Sequence, residues 1–388
     1  MPQLVAIDLE PSQYFIDSLH KIWDIGNIAV PIDHRLNLNQ KMQVIEFLGI
    51  PRVIGPTLEE SSTSVRPTKL TENIEVGDAL VMLTSGTSGQ PKGVIITHDC
   101  IETSSSLSSK RLEIDPARDW WICSLPLAHV GGLSVVLRSL YAKTRISLFA
   151  TFDPSSISEL TGHGANLISI VPTMLSQIDL KPFRKVLIGG SRPPQGLPDN
   201  AITTYGMTET LGGIVYNGQP LESVEVDVLA SGEIRVRAPM IARSYFDGRQ
   251  QLPIRDPNGW FNTGDIGAID AQGSLTIVGR KSDMIISGGE NIWPSPIEDI
   301  LSQHPSVRAV GVCGVDDPLW GQRVVALIEV VPGTRLPSLE EIKSLTREEL
   351  PPWYAPKEIV IVDELPRTSI GKIRRGALEQ TYRRYHAH

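Results

Sequence analysis

Short runs of aliphatic and β-branched residues succeed one another through the first half of the chain: ALVML (79–83), VIITH (94–98), WICSL (121–125), ISLFA (146–150), LISIV (167–171) and KVLIG (185–189). Each has the length and composition of a strand. Amphipathic candidates lie between several of them, notably Pro154 to Gly162 and Thr173 to Gln177. Such alternation predicts helices layered on sheets, an α/β fold. With 388 residues, 41% of them apolar and 21% charged, the chain has room for two domains and a sizeable core.

The pattern changes after Val224. VEVDVLASGEIRVRA alternates apolar and polar residues on both sides of a Ser-Gly turn, which predicts hairpins as far as Val278. IVGRKSDMI then marks a boundary. Beyond Lys281 the expected order is helix (295–303), strand (307–312), strand (324–330), helix (338–349), strand (359–363) and a final helix from Lys372. The predicted architecture is a large N-terminal domain of layered sheets and helices, 1–280, and a smaller α+β C-terminal domain, 281–388.

A formal charge of −8 gives no global attraction to nucleic acid or anionic membrane, although basic residues gather between Arg367 and Arg384. Cys100, Cys123 and Cys313 are scattered without the spacing of a metal site and fit a reducing compartment. MPQLVAIDLE lacks the basic start and apolar run of a signal peptide. The most apolar stretch, Trp120 to Leu137, is interrupted by Pro126, His129 and paired glycines, a poor membrane span. The expectation is a cytoplasmic protein with no nucleic-acid or membrane partner, as monomer or homodimer.

LTSGTSGQPKG (83–93) concentrates glycine, hydroxyl side chains and one lysine. A Walker A loop would need GxxxxGK, then Ser or Thr, opening a helix. Here Lys92 is followed by Gly93 and the β-rich VIITH, so the context is strand–loop–strand and the nucleoside-triphosphatase reading fails. The anion-binding chemistry survives. Glycines let successive N–H groups converge on one point, hydroxyls add donors, and Lys92 adds a compact positive charge.

Four further segments accompany this loop: TTYGMTET (203–210), WFNTGDIG (260–267), VGRKSDMIISGGENIWP (278–294) and LPRTSIGKIRR (365–375). Separately, Asp265 reads as a turn residue, Arg280 as a surface cation and Lys372 as part of a solvated helix face. Together and in this order, the segments resemble the adenylate-forming superfamily of acyl-CoA synthetases, adenylation domains and luciferases, over residues 79 to 380.

The resemblance implies activation of a carboxylic acid with ATP and Mg²⁺ as an acyl-adenylate, then transfer to the thiol of coenzyme A. It implies that Thr84, Ser85, Gly86, Thr87, Ser88, Gly89 and Lys92 hold the β- and γ-phosphates. Thr208 would contact the α-phosphate and Glu209 the Mg²⁺ ion. Tyr205 and Gly206 would lie at adenine, opposite Gly189, Gly190 and Ser191, with Asp265 and Arg280 at the ribose. Lys372 would bridge carboxylate and α-phosphate oxygens, carried by a mobile domain that turns at Ser282. The superfamily often has Asp or Lys at that hinge. The opposite orientation would present Ser287, Gly288 and Gly289 to a thiol tunnel. Arg374 and Arg375 read first as a solvated helix face, with attraction of the phosphates of coenzyme A as the alternative.

His129 in LPLAHVGGLSVV matches the residue that gates the acyl pocket in these enzymes, with Met207 beside it and Gly131 and Gly132 leaving room for the substrate; a core histidine is the plain alternative. Members of the superfamily that activate α-amino acids usually carry an aspartate just after this motif; none lies between His129 and Arg138, so the resemblance argues against an amino-acid substrate. The compactness of the chain, with YGMTETLGGIVYNGQPLESVEVDV, most resembles the o-succinylbenzoate–CoA ligases of menaquinone synthesis. Arg138, Ser191 and Arg192 are candidates for a second carboxylate, with surface or core-edge roles as the alternative for the two arginines. Other small aryl- or acyl-acid CoA ligases, or an enzyme loading an acyl carrier protein, share the general motifs.

Overall fold

Residues 2–56, 60–85, 91–194, 196–367 and 373–386 are described by the computed structural model. They fall into two compact units. The larger comprises Met1–Asp227, Arg235–Asn262 and Ala271–Leu275; the smaller comprises Val228–Ile234, Thr263–Asp270 and Thr276–His388.

In the larger unit, strand Leu4–Ile7 pairs in parallel with Ile28–Pro31 on one side and Arg52–Ile54 on the other. Helices Gln13–Asp24 and Leu38–Leu48 supply the crossovers that parallel neighbours require. Ile28–Pro31 also runs parallel to Asp78–Ser85. That strand turns back antiparallel to Pro91–Thr97, which Ser244–Phe246 then covers. Leu4, Ile28, Val81, Ile95 and Phe246 are each 0% exposed in the resulting core. Sequence patterning gives no strand before residue 79. The reason is physical: LVAI and IAVP are four residues long and buried throughout, so they show no alternation.

The second sheet runs in the order Gln219–Pro220, Gly212–Tyr216, Ala201–Met207, Lys185–Ile188, Leu167–Ile170, Trp120–Cys123, Arg145–Leu148. Helix Pro154–Gly162 stands where its periodicity places it. Asp153 caps it by accepting from the N–H groups of Ser155 and Ser156. The helix expected at Thr173–Gln177 is instead a 3-10 helix, Pro172–Gln177. VIITH ends as a strand at Thr97, because Thr97 caps a helix spanning His98–Leu112.

In the smaller unit, Val307–Asp317 and Gly321–Val330 form a long antiparallel pair, joined in parallel by Glu358–Ile361. Alternation along the central strand serves two cores. Val324, Ala326 and Ile328 pack with Ile297, Leu301 and Ile342, while Val325 and Leu327 pack with Leu365 and Leu378. Helix Leu339–Glu349 starts with a reciprocal capping box between Ser338 and Glu341. The final helix begins later than expected, at Leu378, after a 3-10 turn at Arg375–Ala377. Gly376 is a weak helix former, and the Arg375 side chain is engaged elsewhere. Among the described residues, no helix is long and apolar enough to cross a membrane.

Candidate active site

The glycine-rich loop is closed at its base by strand pairing, with Thr84 opposite Lys92 and Ser85 opposite Pro91. Gly86, Thr87, Ser88 and Gly89 lie outside the described residues. The loop leads into the strand Pro91–Thr97, so no helix N-terminus succeeds it as a Walker A loop would require. A Cβ on Gly93 would sit 3.1 Å from both Leu48 and Val81, which keeps the returning strand tight on the core. The ammonium of Lys92 lies 5.1 Å from the centroid of the Tyr245 ring, within cation–π range. The Tyr245 hydroxyl in turn donates to Glu209 Oε1 at 2.6 Å.

Glu209 belongs to a tight turn, Thr208–Thr210, at the end of strand Ala201–Met207. Thr210 is fully buried; its hydroxyl accepts from the Met207 N–H and donates to the carbonyl of Gly212. The chain reverses so closely that a Cβ on Gly206 would meet the Gly212 carbonyl oxygen at 1.8 Å, so only glycine fits. Leu211 takes a left-handed φ of 52° to make the turn. A bulge between Tyr205 and Gly206 shifts the register there. The Glu209 carbonyl accepts from Ala242 N–H at 2.7 Å, fixing its backbone. Gly189 backs onto the same strand, with its absent Cβ position 2.5 Å from Thr204 Oγ1. Gly190, Ser191 and Arg192 are exposed just beyond.

His129 is the residue before helix Val130–Ala142. Its Nε2 lies 3.5 Å from Asp33 Oδ2, and Arg35 donates to both Asp33 oxygens, from Nε at 2.8 Å and Nη2 at 2.7 Å. Burial pushes the Asp33 carboxyl up, but hydrogen bonds from Arg35 and His129 outweigh it and hold the group well below the usual carboxylate range. Met207 is buried and Gly131 exposed. The space expected at Gly132 is already filled, since a Cβ there would lie 2.5 Å from the carbonyl oxygens of Leu125 and Pro126. Arg138 is core rather than pocket: it is 4% exposed, donates to Ser108 Oγ at 2.9 Å and stacks 5.3 Å above Trp121.

In the smaller unit, Asp265 is 6% exposed and pairs with Arg280 Nε at 2.8 Å, so these two expected ribose ligands meet each other. Ser282 lies in the 3-10 turn Lys281–Asp283. Gly288 and Gly289, with φ of 62° and 86°, form the two-residue turn of the hairpin pairing Ser287 with Glu290. Positive φ at both central positions is what such a hairpin turn demands. Ser287 Oγ is buried and lacks a hydrogen-bond partner among the described residues. Lys372 lies outside the described residues, but its flanks are tied: Arg367 bridges Ile373, and Arg374 N–H donates to the Pro366 carbonyl at 2.7 Å. Glu329, 1% exposed, accepts from Leu365 N–H and from Arg367.

Arg375 takes neither reading that its sequence offers, a solvated helix face or a ligand of coenzyme A. Its guanidinium clasps both oxygens of Glu298 and reaches Asp283 Oδ2 at 3.2 Å. It is committed to architecture.

Asp33, Arg35 and Tyr245 have no counterpart among the residues singled out from sequence. Asp33 and Arg35 follow a strand too short to read, and Tyr245 sits in a three-residue strand, SYF, whose Tyr looks like any sheet aromatic. A turn-like PIDHR after an apolar run was the available signal for the first pair.

Residues 59–246 match the family model for AMP-binding enzymes, and 296–372 match that for the AMP-binding enzyme C-terminal domain. A probable 2-succinylbenzoate–CoA ligase of Mycobacterium tuberculosis is 36% identical over 354 residues, covering 85% of this chain and 91% of that protein. The chain belongs to the AMP-binding family of adenylate-forming enzymes. This AMP-binding enzyme is accordingly an acid–thiol ligase of the AMP-forming type. A 2-succinylbenzoate–CoA ligase of Listeria monocytogenes is 31% identical over 404 residues, 94% of this chain and 86% of the relative. Among solved structures, o-succinylbenzoate CoA synthetase of Bacillus subtilis with its acyl-adenylate intermediate superposes with a TM-score of 0.84 at 28% identity, over 97% of this chain and 88% of that one. ATP-bound MatB of Rhodopseudomonas palustris, at 22% identity and a TM-score of 0.85 over 98% of this chain and 89% of that one, shares the fold.

Proposed function

We propose that this AMP-forming ligase joins 2-succinylbenzoate to coenzyme A. The choice of acid rests on relatives of that name that match 85% and 94% of the chain. The observation that carries the nucleotide chemistry is the convergence, in the larger unit, of the phosphate-loop lysine and the turn carboxylate on one tyrosine. A free carboxylate resists thiol attack because its leaving group is poor; joining it to AMP supplies one. The protein then acts by positioning and by stabilising charge at phosphorus.

The loop Thr84–Gly89 with Lys92 holds the β- and γ-phosphates, and Thr208 the α-phosphate. Tyr205, Gly206, Gly189, Gly190 and Ser191 border adenine, and Asp265 with Arg280 holds the ribose. Among the described residues no three His, Cys, Asp or Glu side chains cluster as a metal cage. The single Glu209 carboxylate would hold Mg²⁺, a hard cation suited to carboxylate oxygen, and the ion would supply positive charge against the phosphates. Lys372 bridges the carboxylate and α-phosphate oxygens. His129, Gly131 and Met207 border the acyl group, and the exposed Ser191 and Arg192 are placed by sequence to meet a second carboxylate. The functional domains divide at 280/281, with Ser282 as hinge and Ser287, Gly288 and Gly289 facing the thiol.

The test is incubation with Mg·ATP, coenzyme A and a panel of 2-succinylbenzoate, benzoates and short fatty acids. The expected result is a thioester of 2-succinylbenzoate with stoichiometric AMP and pyrophosphate. A thioester formed from another acid and none from 2-succinylbenzoate would overturn the assignment.

A further inference from the structure

We infer that Tyr245 is a positioning residue that aims the Glu209 carboxylate and holds Lys92 at the same time, so that the metal–nucleotide complex meets both in register. The inference rests on the proposed roles of Glu209 and Lys92. Three observations support it. The Glu209 backbone is already fixed by the Ala242 hydrogen bond and the Thr208–Thr210 turn, so the remaining freedom lies in its side chain. The Tyr245 hydroxyl removes that freedom by donating to Oε1 at 2.6 Å, while no partner from the described residues engages Oε2. The ring of the same tyrosine carries the Lys92 ammonium, 5.1 Å from its centroid.

Tyr245 is well placed for a dual part. Its strand pairs antiparallel with the strand that leaves the glycine-rich loop, setting Tyr245 opposite Val94, two positions after Lys92. The next residue, Phe246, is 0% exposed and anchors the strand in the core. The tyrosine therefore cannot shift without dragging the sheet. A lysine near a carboxylate tends to form a direct ion pair, which would neutralise both groups. An intervening ring satisfies the ammonium through its π-face and the carboxylate through its hydroxyl, leaving both net charges available to a ligand.

The test compares wild type, Tyr245→Phe, Glu209→Gln and the double variant in calorimetric titration with a non-hydrolysable ATP analogue, once with Mg²⁺ and once with EDTA. Tyr245→Phe should bind the Mg²⁺ complex about tenfold more weakly and the metal-free analogue as wild type does. The double variant should be no weaker than Glu209→Gln. Transfer of the acyl group from preformed acyl-adenylate to coenzyme A should hold its wild-type rate. Tyr245→Leu, which also removes the ring, should weaken binding in EDTA as well, and failure to do so overturns the role assigned to the ring.

Wild-type affinity for the Mg²⁺ complex in Tyr245→Phe, alongside a weakened Glu209→Gln, overturns the inference and leaves the proposed function standing. Wild-type affinity in both single variants overturns the Glu209 assignment and the inference together. In Tyr245→Phe, an equal loss with Mg²⁺ and with EDTA, or a matching fall in thiol transfer, marks packing rather than positioning and also overturns it.

Discussion

Lys92 in the larger unit and Arg375 in the smaller one both come from basic, glycine-containing motifs, yet the fold treats them oppositely. Arg375 meets two carboxylates, those of Glu298 and Asp283. Glu298 spends its remaining capacity on the N–H of Val312 at 2.8 Å. Lys92 meets no carboxylate among the described residues, only the face of Tyr245. A cation already neutralised by its own protein has little left for a ligand. One held by an aromatic face keeps its charge and its donors. Motif chemistry proposes a cation for function; the acids around it decide.

That contrast can be broken at several points. The largest effect is expected at Lys372, which the proposed mechanism leaves for substrate. Lys372→Ala should lower acid-dependent ATP–pyrophosphate exchange about 10³-fold, with thiol transfer from preformed acyl-adenylate and the melting temperature nearly unchanged. A comparable loss in both half-reactions would remove the lysine from its role. Arg375→Ala should show the reverse profile, losing about 3 kcal/mol in chemical denaturation because Glu298 and Asp283 are left without their cation. If instead it raised the KM for coenzyme A with stability unaltered, the architectural reading would fail.

Lys92→Ala should weaken ATP binding by about tenfold, read by calorimetry, at wild-type stability. The smallest effect is expected at Asp33. Its carboxyl has a folded pKa below the unfolded value, so its stabilisation is present above about pH 4 and fades as pH falls through the folded value. Asp33→Asn should therefore cost about 1 kcal/mol at pH 7 and progressively less below pH 4; urea melts across that range would expose a constant or growing deficit as contradiction. Cys123 offers a control, since burial pushes its thiol up to about 12 and it should resist alkylation until the protein unfolds.

Much of this was legible because the relevant physics is local. Helix Pro154–Gly162 reads from its cap, its proline and its periodicity, and the Gly288–Gly289 turn reads from paired glycines, which take positive φ without strain. The pairing of Asp265 with Arg280 was half visible, as two polar residues in neighbouring motifs whose meeting depends on strand placement. Gly132 looked like room for a ligand, yet a glycine serves equally to admit a backbone, and sequence does not distinguish the two. Asp33, Arg35 and Tyr245 stayed hidden because their meaning comes from partners far along the chain: His129 for the first pair, Glu209 for the tyrosine. Arg375 misled for the same reason, its acids lying in segments with no motif of their own.

Strand Gly321–Val330 has a consequence beyond its core. Gly321 pairs with Ser287 at the diglycine turn, while Glu329, near the other end, grips the stem of the segment that bears Lys372. The separation between the diglycine turn and the Leu365–Arg367 stem is thus measured out by extended backbone, about 3.3 Å per residue, rather than by a pliable linker. The strand behaves as a ruler, and the gauge between those two marks is set by its length.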